Sequence, residues 1–367
     1  MDNKDIKLQP GEIFKEHEDA ITYKEQLTDK GLFEQARKNE RFYIGDQWYG
    51  VKISKDRPLV RHNVIKRIGE YKMAVIGSSP VTANYSADGI PNTVTSRMTT
   101  GDDGLQQDNF DIVREQLQTG DMTGFNELSD NDNINFVMDA LSDYYDVTSE
   151  RLRFTDICTQ ALRNAYISGT GLIYTYWDDT IQTGLYADDM KSVPITGDIA
   201  CEVLNIENVD FGDPNEDDVQ KQPFIIIMQR KYVRDVRREA KRNKVPKEDI
   251  ANIKPDNDYN SQFSYDQDTA EPVDSKKCTV LTKLYKEYQD DGSYKIMGIK
   301  VVKNCVIRKP WDLAIKLYPI AKFDWEKRSH CAYGESEITY LIPNQISINR
   351  MLTASVWAVM MLGMPNL

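Results

Sequence analysis

Three histidines (His17, His62, His330) and five cysteines (Cys158, Cys201, Cys278, Cys305, Cys331) are the residues with which this chain would build a metal site or a nucleophile. None is spaced for it. His17-Glu18 has no second histidine one helical turn on, as a zinc-protease signature requires. His330 and Cys331 are adjacent, which prevents comfortable chelation of one ion, so an ordinary buried or half-exposed pair is expected. No Cys-x-x-Cys occurs, and an odd number of scattered thiols reads as reduced cysteine in a cytosolic setting. Gly334-Glu335-Ser336-Glu337-Ile338 lacks the second glycine of a nucleophile elbow.

Phosphate chemistry is approached more closely and also missed. A phosphate cradle needs Gly-x-x-x-x-Gly-Lys-Ser/Thr, so that backbone amides and a lysine face the phosphates. From Gly45 to Lys52 the spacing is close, but Val51 intervenes and displaces the lysine by one. Gly169-Thr170-Gly171 sits at a helix-to-strand corner, the reverse of the strand-to-helix order of a dinucleotide fingerprint, and reads as a tight turn. The acidic pairs Asp102-Asp103, Asp178-Asp179 and Asp217-Asp218 could hold a cation, but adjacent carboxylates in polar loops are ordinarily solvated. No catalytic, cofactor-binding or metal-ligating residue is therefore assigned, and no cofactor is expected. One charged motif remains, a basic helix over 232–244. It places Arg234, Arg237, Arg238, Lys241 and Arg242 on one side, at spacings of three and four. Such a stripe could follow a phosphate backbone, meet a neighbouring subunit, or face solvent. No aromatic residues interleave with it, so it offers no stacking platform for single strands.

A mixed α+β scaffold must carry these residues. Residues 11–43 read as a helix, kinked or broken at Gly31 and stopped at Gly45, with Ile13, Phe14, Ile21, Leu27, Leu32, Phe33 and Ala36 near helical spacing. Residues 63–76 form a second helix ended by Ser79-Pro80, and 81–85 read as a strand. Residues 86–132, dominated by Gly, Asp, Asn, Thr and Gln, read as a long irregular loop. Helical spacing resumes over 134–145 and continues through 152–167. Strands are expected at 172–177, 182–187, 199–204 and 223–230, with a turn at Asp213-Pro214-Asn215. Residues 252–275 form a second polar linker. Period-two alternation at 279–288 and 294–302, joined by Asp290-Asp291-Gly292-Ser293, predicts a hairpin, with a further strand at 306–308. Residues 336–341 and 344–362 are helical, interrupted at Pro343.

The 367 residues suffice for two or three domains. The divisions expected are 1–85, 86–132, 133–251, 252–276, 277–330 and 331–367. The net charge of −12 has a location: residues 101–150 hold thirteen acidic residues and one basic one, Arg114, and the rest of the chain is balanced. This belt reads as a solvated acidic loop, or as a surface that repels DNA or recruits a basic partner. Residues 1–9 are polar, without the charged-then-apolar opening of a signal peptide. Residues 351–367 are the nearest approach to a membrane span, and Thr353, Ser355, Pro365 and Asn366 break them. The last helix, with Val356, Trp357, Val359, Met360, Met361 and Leu362, has no polar face over its final two turns. Another subunit or further chain must cover it, and the expectation is that the sequence is the front part of a longer protein.

Four stretches together resemble the portal proteins of tailed bacteriophages. They are Ala36-Arg37-Lys38-Asn39-Glu40-Arg41-Phe42-Tyr43-Ile44-Gly45-Asp46-Gln47-Trp48; then Arg57-Pro58 through Asn63-Val64-Ile65-Lys66-Arg67-Ile68 to Ser79-Pro80; then 161–177 through Gly169-Thr170-Gly171; and finally Tyr318-Pro319-Ile320, Gly334 to Ile338, and Leu341-Ile342-Pro343-Asn344-Gln345-Ile346-Ser347-Ile348-Asn349-Arg350. The resemblance implies a ring, commonly of twelve subunits, at one capsid vertex of the virion, assembled in the host cytoplasm. Double-stranded DNA is packaged through its channel by terminase and later ejected, and head–tail connector, capsid and scaffold proteins dock on it. The family does no covalent chemistry and spans no membrane. It implies a wing over 1–85 and 133–250, a hairpin-built clip over 277–330, and a stem helix over 335–362. Met351, Leu352, Val356, Trp357 and Met360 would then lie between neighbouring subunits. A chain with little net basic charge suits a channel through which DNA must slide. The alternatives are a metal-dependent nucleic-acid-processing enzyme, with the acidic belt supplying ligands, and a smaller head–tail adaptor.

Overall fold

A computed structural model describes residues 8–27, 31–53, 58–79, 130–186, 194–256, 276–289 and 292–363. The expected strand at 81–85, most of the 86–132 loop and most of the 252–275 linker lie outside the described residues. The chain divides into two compact units, Met1–Ser78 with Ile157–Leu367, and Ser79–Asp156.

The first unit begins with helices α1 (Pro10–Gln26) and α2 (Leu32–Ile44). Of the kink or break expected at Gly31 within 11–43, the break is found, between these two helices. Gly31 separates them with φ +79°, and a Cβ there would meet the Glu25 carbonyl oxygen at 3.0 Å. α2 stops where its sequence says, at Gly45 in the left-handed region. α3 (Val64–Gly77) opens on Asn63, whose side chain accepts the Lys66 N–H at 2.9 Å. In the second unit α4 (Asp130–Leu152) starts earlier than the helix expected from 134. A positive φ at Arg153 separates it from α5 (Phe154–Ser168), which enters the first unit.

Among the described residues two antiparallel sheets follow, so the fold is α+β. One has the order β2-β1-β8, built from β1 (Thr170–Tyr186), β2 (Pro194–Leu204) and β8 (Ile320–Asp324). The strands expected at 172–177 and 182–187 are one continuous β1, which passes a register shift between Asp178 and Gln182 instead of ending. The other sheet has the order β3-β4-β5-β6-β7, from β3 (Val209–Phe211), β4 (Phe224–Tyr232), β5 (Lys277–Tyr288), β6 (Tyr294–Val302) and β7 (Cys305–Asp312). The β5–β6 hairpin is present as expected, with Gly292 at φ +80°. Because β4 pairs with β5 from Phe224↔Tyr285 to Tyr232↔Lys277, residues 277–312 continue a sheet begun within 133–251. Between β4 and β5 run α6 (Val233–Arg242) and α7 (Lys247–Ala251).

The final helix, α8 (Glu337–Leu362), runs unbroken through Pro343, where an interruption was expected. Proline removes one hydrogen bond of the helical ladder. Burial of Ile338 and Ile342 before it and Gln345 after it offsets that loss. Among the described residues four apolar clusters make up the core. Ile13 and Phe14 of α1 pack on Ile226, Met228, Leu281 and Val301 of the larger sheet. Leu172, Leu204, Ile225, Ile227 and Tyr333 join the two sheets. Val233, Val236 and Ala240 seat α6 on Val280, Val302 and Ile307. Phe42, Tyr43, Ile65, Tyr166, Ile338 and Ile342 join α2, α3, α5 and α8.

Candidate functional site

That last cluster is where the four sequence phrases meet. Gln345, Asn349 and Thr353 recur at intervals of four on one face of α8 and are buried. Gln345 Oε1 accepts the N–H of Val64 at 2.9 Å, and its Nε2 donates to the His62 carbonyl at 2.5 Å. Asn349 Oδ1 accepts the His62 N–H at 3.0 Å, while its Nδ2 donates to Gln47 Oε1 at 2.8 Å. Thr353 Oγ1 accepts the Val60 N–H at 3.2 Å, and the Trp48 indole donates to the Val60 carbonyl at 3.2 Å. Among the described residues no strand lies beside the 58–63 loop, and α8 side chains satisfy its backbone. Gly69 allows Tyr166 to lie against α3: a Cβ there would stand 2.4 Å from the ring, and the Tyr166 hydroxyl donates to the Ile65 carbonyl at 3.1 Å. This assembly is structural.

A second buried network ties α1 to β3. Lys24, fully buried, donates to the carbonyls of Ile206 and Glu207 at 3.1 Å each and to Asp210 Oδ1 at 2.7 Å. His17 Nδ1 lies 2.5 Å from Asp210 Oδ2. Burial alone would raise the Asp210 carboxyl, but Lys24 and His17 outweigh it and hold the group below its ordinary range. The neighbouring Glu207 goes the other way. Burial pushes it up to about 7, against the weaker pull of Lys24 and Arg37.

The residues that could have built a metal site or a nucleophile lie apart in the fold. His330 is exposed and Cys331 buried, so the adjacent pair faces different surroundings. All five cysteines are unbridged. Gly169 is required by a close crossing, since a Cβ there would lie 2.5 Å from the Gly334 oxygen. Asp178 accepts the N–H and hydroxyl of Thr180, and Asp217 pairs with Lys327. Among the described residues, no group of three or more His, Cys, Asp or Glu is placed to hold a metal ion.

The basic helix is the charged surface that the fold does assemble. Arg234, Arg237, Arg238 and Lys241 of α6 line one open cavity of about 700 Å³, with Tyr232, Val233, Pro255 and Lys276. Arg242 departs from the expected stripe. Two turns beyond Arg234 it has rotated away, and it lines a different cleft with Lys231 and Lys300. Lys276 was not legible as a member, because only the pairing of Tyr232 with Lys277 brings it alongside. Arg237 is fixed by donation from Nη2 to the Ile253 carbonyl at 2.6 Å. Arg234 and Arg238 both approach Asp235, at 3.4 and 4.0 Å. Among the described residues, five cations and no carboxylate line the cavity, so it can hold an anionic surface.

The second half of α8 is the other unusual surface. After Thr353 none of its described residues is buried. Met351, Leu352, Val356, Val359, Met360, Met361 and Leu362 are exposed, Leu362 at 87%, and Trp357 is half-buried. Among the described residues no helix is long and apolar enough to cross a membrane. No protein-family model matches the chain, and no curated protein matches it at a significant level.

Proposed function

We propose that this chain is a ring-forming subunit of the tailed-phage portal type, placed at one capsid vertex of the virion and assembled in the host cytoplasm. The observation that carries the reading is the second half of α8. Residues 351–362 hold apolar side chains on every side of a helix about 18 Å long, and apart from buried Thr353 and half-buried Trp357 they are exposed. A head-to-tail ring covers such a surface on every subunit at once, because each copy presents the same helix to its neighbour. In this reading Met351, Leu352, Val356, Trp357 and Met360 form the subunit contact, in a ring commonly of twelve. Double-stranded DNA passes through the central channel during packaging and ejection, and terminase, connector, capsid and scaffold proteins dock on the ring. The Arg234–Lys241 face is a contact for DNA phosphates or for a neighbouring subunit. The resemblance of the phrases at 36–48, 57–68, 161–177 and 334–350 supports the same reading. All four reach the core that anchors α8.

Negative-stain electron microscopy of the purified chain tests it. Rings with a central hole are expected, and the double variant Trp357→Ser, Met360→Ser should give soluble subunits that do not close. Monomeric wild-type protein at micromolar concentration, or normal rings from the double variant, would count against the reading. Incubation with DNA and magnesium or manganese should leave the DNA intact, whereas cleavage abolished by a chelator would instead identify a nuclease.

A further inference from the structure

The cavity beside α6 carries charge that the described groups around it leave uncompensated. Asp235 lies 3.4 Å from Arg234 and 4.0 Å from Arg238, and it offsets one of the two. Asp256, next to Pro255, is taken up by Arg230. Glu239 is taken up by Lys300 at 2.6 Å, in the cleft that Arg242 also lines. Arg237 donates to a main-chain carbonyl, which leaves its charge uncancelled. Lys276 is fixed beside the start of α6, because its carbonyl accepts the Val233 N–H at 2.9 Å. Setting Asp235 against the five lining cations leaves a surplus of four. Tyr232, Val233 and Pro255 add apolar surface to the same cavity. It therefore suits an occupant that is acidic on one side and apolar on the adjoining side.

The chain itself carries such a surface. From Val137 to Leu152, about 24 Å of helix, no residue of α4 is buried. Val137, Leu141, Tyr144 and Val147 are exposed, and they fall within about 120° of one another around the axis. Asp139, Asp143, Asp146 and Glu150, also exposed, fall within about 60°. The carboxylate row begins about 40° beyond Val147, so the two rows adjoin. Helical stability comes mostly from packing such an apolar face, so α4 calls for a partner. Pairing α4 with α4 of a second copy along this edge would set carboxylates against carboxylates.

We propose that the α6 cavity takes α4 of a second copy of this chain, head to tail. The Val137–Val147 row covers Tyr232 and Pro255, and the carboxylate row meets Arg234, Arg238 and Lys241. Both surfaces are exposed in one chain, and a repeated contact of this kind covers both on every copy. The inference deepens the ring reading by naming what the basic face meets, and it rests on that reading for the presence of a neighbour.

Sedimentation velocity of the full chain carrying Trp357→Ser and Met360→Ser tests it, since that background lacks the apolar α8 contact. At low ionic strength this protein should still associate at tens of micromolar. It should dissociate in about 1 M salt, where screening acts within about 3 Å. Two variants are made in the same background. One carries Asp143→Lys, Asp146→Lys and Glu150→Lys, and the other Arg234→Glu, Arg238→Glu and Lys241→Glu. Each alone should associate more weakly by on the order of tenfold or more. An equimolar mixture should associate again, because each variant then matches the reversed charges of the other. That recovery cannot come from misfolded protein. Monomers throughout, association indifferent to both charge sets, or a mixture no better than its components would each overturn the proposal. The last result is also what DNA, or the chain's own 257–275 segment with Asp258, Asp266, Asp268, Glu271 and Asp274, would give as occupant. Wild-type rings without recovery in the mixture would sink this contact and leave the α8 reading standing, while recovery without rings would do the reverse.

Discussion

Replacing Glu207 by glutamine should stabilise this protein at alkaline pH and leave it unchanged at acid pH. Glu207 lies in the 3₁₀ turn Ile206–Asn208 and is 5% exposed. Its main-chain carbonyl holds Lys24, but that lysine is committed to Asp210. Burial therefore dominates and pushes the carboxyl up to about 7 from its ordinary 4.5. The folded chain keeps a proton that the unfolded chain releases as pH rises through this window. Stability consequently falls between about pH 4.5 and pH 7 and stays lower above it. At about 1.4 kcal/mol per pH unit, the loss is about 3 kcal/mol. Glutamine reproduces the protonated carboxyl in shape and removes the titration. Urea melts followed by tryptophan fluorescence at pH 4, 5, 6, 7 and 8 should show the two proteins nearly coinciding at pH 4 and separating by about 3 kcal/mol at pH 8, with equal denaturant slopes. A difference constant across pH would refute the reasoning. A glutamine variant less stable at pH 8 would also refute it, because it would mean that the ionised carboxylate is stabilised by Arg37.

Asp210→Asn should act with the opposite sign. Its carboxyl is held low in the folded state, so its contribution is present above the unfolded carboxylate range and lost as pH falls. Removing it leaves fully buried Lys24 without a counter-charge, and a loss of about 3–5 kcal/mol at pH 7 is expected in the same melts. Gln345→Ala strands the backbone groups of His62 and Val64 and should cost about 2–4 kcal/mol, with hydrogen exchange at Val64 rising by at least as much as the global loss. Gly69→Ala drives a methyl into the Tyr166 ring and should cost about 1–3 kcal/mol, partly restored by pairing it with Tyr166→Leu.

Elements that end on a local signal were legible in the sequence. Gly45 stops α2, and the Gly292 turn sets the β5–β6 hairpin. Each depends on the conformational preference of one or two residues. Elements decided at long range were not. Apolar spacing runs on across Gly31, so the break between α1 and α2 was only half visible. Pro343 looked like a stop because its local cost is evident, while the burial of Ile338, Ile342 and Gln345 that offsets it is not. The candidate basic site divided along the same line. Arg234, Arg237, Arg238 and Lys241 share a helical face that counting by three and four reveals. Lys276 joins through sheet pairing, and Arg242 leaves through accumulated rotation, neither of which local spacing reports. The phrase from Asn344 to Arg350 was recognisable as a pattern, but its physical reason was hidden. Its Gln and Asn serve backbone groups nearly 300 positions away in the chain, at His62 and Val64.

The ladder of Gln345, Asn349 and Thr353 also has a mechanical meaning. A helix is stiff in torsion, so clamping its first half at three points fixes the angular phase of everything beyond. Each residue advances the helix by about 100°. Inserting a single residue after Thr353 would leave the clamp intact and turn Val356, Trp357 and Met360 by over a quarter of a revolution. The buried half of α8 thus works as the index that decides which apolar side chains its free half presents in each direction.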